Sequence, residues 1–132
     1  MIVAVGVDAV DIQRVQRLMK NAGFVDRIYT ESERAYCLER ARPAESFAAR
    51  FAAKEAVMKC LGTGWSRGVG FRQVEVQRKA SGELSVALTG RALEVSQERE
   101  IGRIHLSLSH TAGQAVAFAV AESCVDDANG GC

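Results

Sequence analysis

The feature that most constrains the fold is a helix-forming segment at residues 45–61 that is apolar on two opposite faces. At about 100° per residue, its large apolar side chains form one stripe and its small residues form another. A helix of this kind cannot lie on a surface with one solvated face. The large stripe contains Phe47, Phe51 and Met58, and the small face contains Ala49, Ala52, Ala53, Ala56 and Cys60.

The charged side chains of this segment fall in the two flanks between the apolar faces. Glu55 and Lys59 occupy one flank, and Arg50 and Lys54 occupy the other. In one interpretation, Glu55 and Lys59 form an i,i+4 ion pair, and the other two extend to water along their aliphatic stems. In the second, Glu55 is a metal ligand or general base and Lys59 neutralises a phosphate, which requires another carboxylate and an anion cradle.

Three other stretches supply candidates for that chemistry. Asp8 lies at the end of the first predicted strand, where it can face a cleft as a Mg²⁺ ligand or simply cap the next helix. The glycines of residues 61–70 can let backbone amides approach a phosphate, or can form a helix cap and a turn. Ser109, His110 and Thr111 end a strand and can hold a phosphate or accept a proton, although a strand-end histidine is often only a surface residue.

The first half of the chain predicts one strand and three helices. The alternating residues 2–10 predict the strand, and the following segment predicts a helix that ends at Gly23 as its C-cap. Thr30 and Glu33 match a capping box that opens the second helix, which Pro43 should end. The third helix begins near residue 45 and should end by Gly62.

The second half predicts a hairpin around residues 80–83, a short amphipathic helix over 91–100 and two strands. The strand at 104–109 alternates, whereas 114–122 is so uniformly apolar that we expect burial on both faces. The order β-α-α-α-β-β-α-β-β lacks regular βαβ alternation, so the fold class is α+β with an antiparallel-rich sheet packed with helices.

Composition limits the class of protein. The 132 residues are enough for one domain, which we place at 1–122, followed by a polar tail at 123–132 that we expect to be disordered. A net charge of +1 gives no overall attraction to nucleic acid or to a membrane. The absence of a long apolar run and of a signal peptide predicts a cytoplasmic protein, and the four cysteines without CxxC spacing predict free thiols.

Three motifs together resemble a known family. "VAVGVDAVDIQRV", "ARFAAKEAVMKCLGTG" and "LSLSHT" are similar, in order and spacing, to motifs of the holo-acyl-carrier-protein synthases, which are small bacterial 4′-phosphopantetheinyl transferases. The resemblance covers residues 2–122. It implies the 4′-phosphopantetheinyl transferase-like fold, Mg²⁺ as cofactor, coenzyme A and an acyl carrier protein as partners, and a homotrimer with active sites between subunits. The phosphopantetheine arm of coenzyme A would pass to a carrier serine, releasing adenosine 3′,5′-bisphosphate.

The resemblance also implies roles for particular residues. Asp8 and Glu55 match the Mg²⁺ ligands, and Glu55, directly or through water, is the first candidate for the base that takes the serine proton. Lys59 matches a residue that offsets phosphate charge, and it is also a candidate proton acceptor. His110 is a weaker candidate for the base.

Further matches concern substrate binding. Positions near the nucleotide and diphosphate are Arg50, Gly62, Thr63 and Gly64, while Ser109, His110 and Thr111 would reach the phosphates from another subunit. Arg14 matches the family's carrier-contacting arginine, and Arg17 and Lys20 follow it on the same side of the helix.

The chain departs from the family at Cys60, where alanine is usual, and in "SGEL", which lacks an expected proline. A binding module without transferase activity, or a structural oligomer with inter-subunit ion pairs, are the alternative functions.

Overall fold

A three-stranded antiparallel sheet forms one side of the molecule. The computed structural model describes residues 1–62 and 68–124. The sheet has the order β1-β5-β4, and its strands are β1 (Ile2–Asp11), β4 (Ile101–His110) and β5 (Gln114–Ser123). A separate antiparallel hairpin consists of β2 (Val74–Arg78) and β3 (Leu84–Leu88), as the alternating sequence predicts.

Five helices accompany these strands in the described part of the chain. They are α1 (Ile12–Leu18), α2 (Ala22–Ile28), α3 (Glu31–Leu38), α4 (Pro43–Leu61) and α5 (Gly90–Glu98), and a 3₁₀ turn, Phe71–Gln73, precedes β2. The α+β class with antiparallel strands is therefore confirmed. The observed order contains one more helix before the hairpin than the sequence predicts.

The additional helix arises because the predicted first helix is interrupted. The α1 helix ends at Leu18, and the side chain of Asn21 accepts a hydrogen bond from the Gly23 amide at 2.8 Å to cap α2. The prediction that Gly23 is a C-cap is therefore wrong. Asparagine is among the best N-cap residues, and here it starts a new helix inside a segment that reads as one.

The ends of α3 and α4 follow local capping chemistry. The capping box at α3 is confirmed, since Thr30 N donates to Glu33 Oε1 at 2.9 Å and Glu33 N donates to Thr30 Oγ1 at 3.3 Å. Pro43 occupies the first turn of α4 instead of ending α3, a position that its missing amide hydrogen favours. Gly62 ends α4 with a φ of 74°, which confirms it as the C-cap.

The α4 helix is the centre of the fold and packs against β1 and β5. Two features of the sheet let it approach closely. The inward positions of β5 are fully buried alanines at 115, 117, 119 and 121. On β1, Gly6 has no Cβ, and one built there would collide with the Ala56 carbonyl oxygen of α4. The two backbones are therefore in direct contact.

The opposite face of the sheet is apolar but uncovered in the single chain. Val5 is 60 % exposed, Val7 is 47 % exposed and Phe118, which pairs with Val7, is 52 % exposed. The prediction that residues 114–122 are buried on both faces is therefore wrong for one chain alone. Alternate residues of a strand point to opposite faces, and helices cover one face only.

The three cysteines of the described residues fall into two groups, and Cys132, also predicted to be a free thiol, lies outside those residues. Cys37 and Cys60 are free and buried, as predicted, whereas Cys124 is disulfide-bonded and contradicts the prediction of a free thiol. Most of the predicted tail, residues 125–132, lies outside the described residues, although Ser123 still belongs to β5. In the described ranges, we find no helix with the length and hydropathy needed to span a bilayer.

Candidate active site

Strand β1 and helix α4 bring Asp8, Glu55 and Lys59 together. Asp8 pairs with Ala117 inside the sheet, because β1 continues to Asp11. It is Asp11 that caps α1, by accepting a hydrogen bond from Gln13 N at 2.9 Å. The alternative in which Asp8 is only a helix cap is therefore wrong. Its carboxylate remains available to the groups on α4.

Lys59 turns toward β1 instead of along its own helix. Its Nζ donates to the Val7 carbonyl oxygen at 2.8 Å and lies 3.2 Å from Asp8 Oδ1. The predicted Glu55–Lys59 ion pair is not among the ion pairs of the described residues, where Lys59 pairs with Asp8. The ammonium is thus held beside the carboxylates while its side chain stays 54 % exposed.

The two carboxylates face each other at this junction. Burial, and after it the neighbouring charge of Asp8, raise the pKa of Glu55 to about 7 against smaller opposing effects from Lys59 and Arg14. Among the described residues, Asp8 Oδ2 is buried and has no hydrogen-bond partner of normal geometry. A cation that binds both carboxylates would remove their repulsion and satisfy this oxygen.

This donor set suits a hard divalent cation. No third His, Cys, Asp or Glu joins the pair to form a group of three in the portion of the chain that the structure describes. Mg²⁺ commonly binds one or two protein carboxylates and completes its shell with water and phosphate oxygens. Asp8 and Glu55 therefore fit Mg²⁺ better than a metal that needs a closed protein cage.

A second group of residues forms a pocket of about 490 Å³, which we call the basic pocket. Arg50 lies in it, 3 % exposed, with its guanidinium 4.0 Å from the centre of the Tyr36 ring. Its Nε has no hydrogen-bond partner in the described structure. The predicted extension of Arg50 to water is therefore wrong. The lining residues are Tyr36, Arg40, Ala41, Arg42, Glu45, Ser46, Ala49, Arg50, Arg78, Leu108 and His110.

Sequence reasoning placed Arg50 and His110 near phosphates but missed the other cations of the basic pocket. The guanidinium of Arg40 also lies over the Tyr36 ring, 4.5 Å from its centre. The run "ERARP" was the available signal for Arg40 and Arg42, whereas Arg78 lies far away in sequence. His110 Nδ1 is 3.9 Å from Glu45 Oε2, which places one carboxylate in an otherwise basic lining.

The structure describes only some of the remaining residues that were predicted to bind phosphate. Ser109 lies near the end of β4, and Thr111 Oγ1 accepts hydrogen bonds from the amides of Gly113 and Gln114 in the turn that follows. Thr63 and Gly64 lie outside the described residues. The basic pocket is lined by neither Asp8, Glu55 nor Lys59, so one chain does not unite the two groups in this pocket.

A third group lines a mostly apolar pocket of about 430 Å³, which we call the apolar pocket. Arg14, which the sequence singled out, is part of its lining, and Arg27, which it missed, provides a second cation. Arg17 and Lys20 are exposed and do not line it. The charge of Arg14 also acts on Glu55, which places the pocket close to the carboxylates. Its lining is Arg14, Leu18, Phe24, Arg27, Ile28, Phe51, Val69, Gly70 and Phe71.

Known proteins match the chain over nearly its whole length. The family model of the 4′-phosphopantetheinyl transferase superfamily matches residues 4–121. A holo-[acyl-carrier-protein] synthase of Koribacter versatilis is 43 % identical over 124 residues, which are 92 % of this chain and 99 % of that protein.

Solved structures give the same result. The holo-[acyl-carrier-protein] synthase of Neisseria meningitidis superposes with a TM-score of 0.84 at 36 % identity, covering 93 % of this chain and 100 % of that one. A Bacillus anthracis holo-(acyl-carrier-protein) synthase in complex with CoA (3′,5′-ADP) gives a TM-score of 0.77 at 35 % identity, over 93 % and 98 % of the two chains. The fold, the motifs and these matches show that the chain belongs to the holo-[acyl-carrier-protein] synthases of the 4′-phosphopantetheinyl transferase superfamily.

Proposed function

We propose that this chain transfers the 4′-phosphopantetheine group of coenzyme A to a serine of an apo-acyl carrier protein. The relatives named for this activity and the coenzyme A complex of the Bacillus anthracis protein support the substrates. The observation that carries the proposal is the facing pair of carboxylates, Asp8 and Glu55, beside the Lys59 ammonium. This combination of two acids and one cation suits a diphosphate bound with a divalent metal.

Asp8 and Glu55 would hold the Mg²⁺ ion. When bound, Mg²⁺ supplies charge neutralisation of the diphosphate and polarisation of the phosphorus under attack. Glu55 then accepts the proton of the serine hydroxyl, directly or through one water, as the serine oxygen bonds to the phosphorus on the pantetheine side. The phosphorus–oxygen bond to the nucleotide breaks. Lys59 donates hydrogen bonds to the phosphate that leaves as adenosine 3′,5′-bisphosphate.

The basic pocket is our candidate site for the phosphates of the nucleotide. Its buried Arg50 has a guanidinium N–H without a partner in the described structure, and charge-assisted hydrogen bonds to phosphate are among the strongest that arginine makes. Because this pocket and the carboxylate pair are separate in one chain, the complete site would join the carboxylate pair of one chain to the basic pocket of a neighbouring copy, which brings its Ser109, His110 and Thr111. We propose a homotrimer on this ground, and we propose separately that the protein is cytoplasmic.

The uncovered sheet face is the candidate contact between subunits. Val5, Val7 and Phe118 expose a continuous apolar surface of a kind that soluble proteins usually cover. Burial of this face in a trimer would also explain why the last strand is apolar on both sides.

The apolar pocket is the candidate docking site for the carrier. An acidic carrier helix would place its carboxylates near Arg14 and Arg27 and an apolar side chain between them. The proximity of Arg14 to Glu55 would then bring the target serine to the base.

Mass spectrometry of the carrier tests the proposed function. After incubation with coenzyme A, Mg²⁺ and apo-carrier, we expect the carrier to gain the mass of one phosphopantetheine, and to gain none when EDTA replaces Mg²⁺. A known transferase in a parallel reaction controls for a competent carrier. An unmodified carrier beside a modified control would identify the chain as a binding module that docks carrier or nucleotide without transfer.

A further inference from the structure

Lys54 and Glu33 form an ion pair that is closed off from solvent. The Nζ of Lys54 lies 2.7 Å from Glu33 Oε1, and neither side chain has exposed surface. Neither residue lines the basic or the apolar pocket. Stability alone does not account for a buried ion pair, because well-packed apolar residues of similar volume often stabilise a core equally well or better. The pair therefore calls for an explanation based on what it holds in place.

Every donor and both oxygens of the pair are used. Besides Glu33, Lys54 Nζ donates to the carbonyl oxygens of Phe71 at 3.0 Å and Val74 at 2.6 Å. Glu33 Oε1 also accepts from Thr30 N, and its Oε2 accepts from Val76 N at 2.9 Å. An ammonium has three donors, so the geometry is saturated. The pair thus fastens residues 71–76 to both α3 and α4.

The fastened segment forms one wall of the apolar pocket. The ring of Phe71 stacks on that of Phe51, with centroids 5.5 Å apart and planes 14° apart, and both residues line the pocket. Phe71 opens a 3₁₀ turn of only three residues, a conformation with poor hydrogen-bond geometry of its own. The hydrogen bond from Lys54 is one constraint on where this wall stands, beside the ring contact with Phe51.

We propose that Lys54 and Glu33 are positioning residues for carrier recognition. They hold the Phe71 wall against Phe51, so that the apolar pocket between Arg14 and Arg27 keeps its shape for an apolar side chain of the carrier helix. The proposal rests on the proposed function, because that function supplies the carrier. Neither Lys54 nor Glu33 contacts the carrier, and both act through Phe71.

The test removes both charges together, in the double variant Lys54→Met/Glu33→Gln. This leaves no uncompensated charge in the core, so folding is retained far better than after either charge is removed alone. We measure kcat, the KM for apo-carrier, the KM for coenzyme A, and the Kd for apo-carrier by calorimetry without coenzyme A. The expected result is a rise of about tenfold in the carrier KM and Kd, with the coenzyme A KM changed less than about twofold.

Two further variants distinguish a positioning role of the ion pair from a general loss of stability. Val95→Ala on α5 removes buried volume at a site that lines neither pocket, so it should lower the melting temperature and leave the carrier KM unchanged. Phe71→Ala removes the wall itself. If the pair acts through Phe71, its effect on the carrier Kd and that of Phe71→Ala will not add in the combined variant.

An unchanged carrier KM and Kd in the folded double variant would overturn the proposal, as would equal rises for carrier and coenzyme A. If the double variant fails to fold, Lys54→Arg, which keeps a positive charge beside Glu33 but changes the geometry of the donors, is judged by the same criteria. The Kd for apo-carrier, measured without coenzyme A, distinguishes a failure of the proposed function from a failure of the positioning role. A wild-type chain that binds carrier without modifying it refutes the proposed function yet still tests the positioning role, and one that binds no carrier refutes both.

Discussion

Four charged residues of α4 lie within ten positions and occupy four different environments. Arg50 stacks on Tyr36 in the basic pocket, and Lys54 is enclosed by carbonyls and Glu33. Glu55 faces Asp8, and Lys59 crosses to β1. Each side chain leaves the apolar helix where two elements meet. The ends of these side chains are therefore fixed by partners on other elements and not by neighbours along the helix.

The Glu55→Gln variant tests the role of the carboxylate directly. Gln is nearly isosteric but cannot accept the serine proton or supply a charged oxygen to Mg²⁺, so we expect kcat/KM for transfer to fall by orders of magnitude. The oligomeric state, measured by light scattering, should not change.

Glu83→Gln on the hairpin loop is the matched control, because Glu83 is exposed and pairs only with Lys79 among the ion pairs of the described residues. Wild-type turnover in Glu55→Gln would reject the assigned role. A change in assembly larger than the change in turnover would instead favour a structural oligomer.

Single elements show where sequence reasoning succeeds and where it stops. The hairpin, the capping box at Thr30 and the end of α4 at Gly62 were predictable, because each depends on residues within a few positions of one another. The break between α1 and α2 was missed because Asn21 competes with an equally plausible helical pattern. The burial of Lys54 could not be predicted, since its acceptors lie in α3, the 3₁₀ turn and β2.

The candidate site likewise contains some residues that the sequence predicted and others that it did not. The motif resemblance predicted the pairing of Asp8 with Glu55, and the structure places them together. Arg78 and Arg27 carry no local signal, because only packing brings them to their pockets. The sequence of one chain therefore does not predict which residues, distant from one another along the chain, come together in a pocket.

The α1 helix carries a prediction of its own, the charge reversal Arg14→Glu. Arg14 lines the apolar pocket, so a negative side chain there would repel an acidic carrier helix. We expect the KM for apo-carrier to rise about tenfold or more, while the KM for coenzyme A changes little. Steady-state kinetics with each substrate varied in turn measure both.

Lys79→Glu makes the same change of charge on an exposed hairpin position that does not line the pocket, and it should leave the carrier KM unchanged. If Arg14→Glu altered only the coenzyme A KM, the docking surface would have to be placed elsewhere.

At the scale of the whole molecule, one chain presents two separate groups of candidate site residues and an uncovered apolar sheet face. The carboxylate pair lies where β1 meets α4, whereas His110 is the last residue of β4 and lines the basic pocket. A closed ring of identical subunits can join one half of each chain to the other half of the next. The proposed trimer satisfies both needs with one arrangement.

Subunit complementation tests this arrangement. Glu55→Gln and His110→Ala should each be inactive or strongly impaired, but mixed oligomers formed by co-expression should regain part of the wild-type activity. Recovery occurs because some sites then combine an intact Glu55 from one chain with an intact His110 from another. Mixtures that stay as inactive as the separate variants, although mass spectrometry shows mixed oligomers, would place both residues in a site within one chain.

The contact between Gly6 and the Ala56 carbonyl leaves no room for a larger residue at position 6 unless β1 and α4 move apart. Any larger residue at position 6 would wedge the strand off the helix, and the acids at 8 and 55 would be carried apart with their backbones. The absence of a Cβ at Gly6 therefore sets the distance between β1 and α4. A larger residue at position 6 is therefore expected to disrupt the proposed metal site.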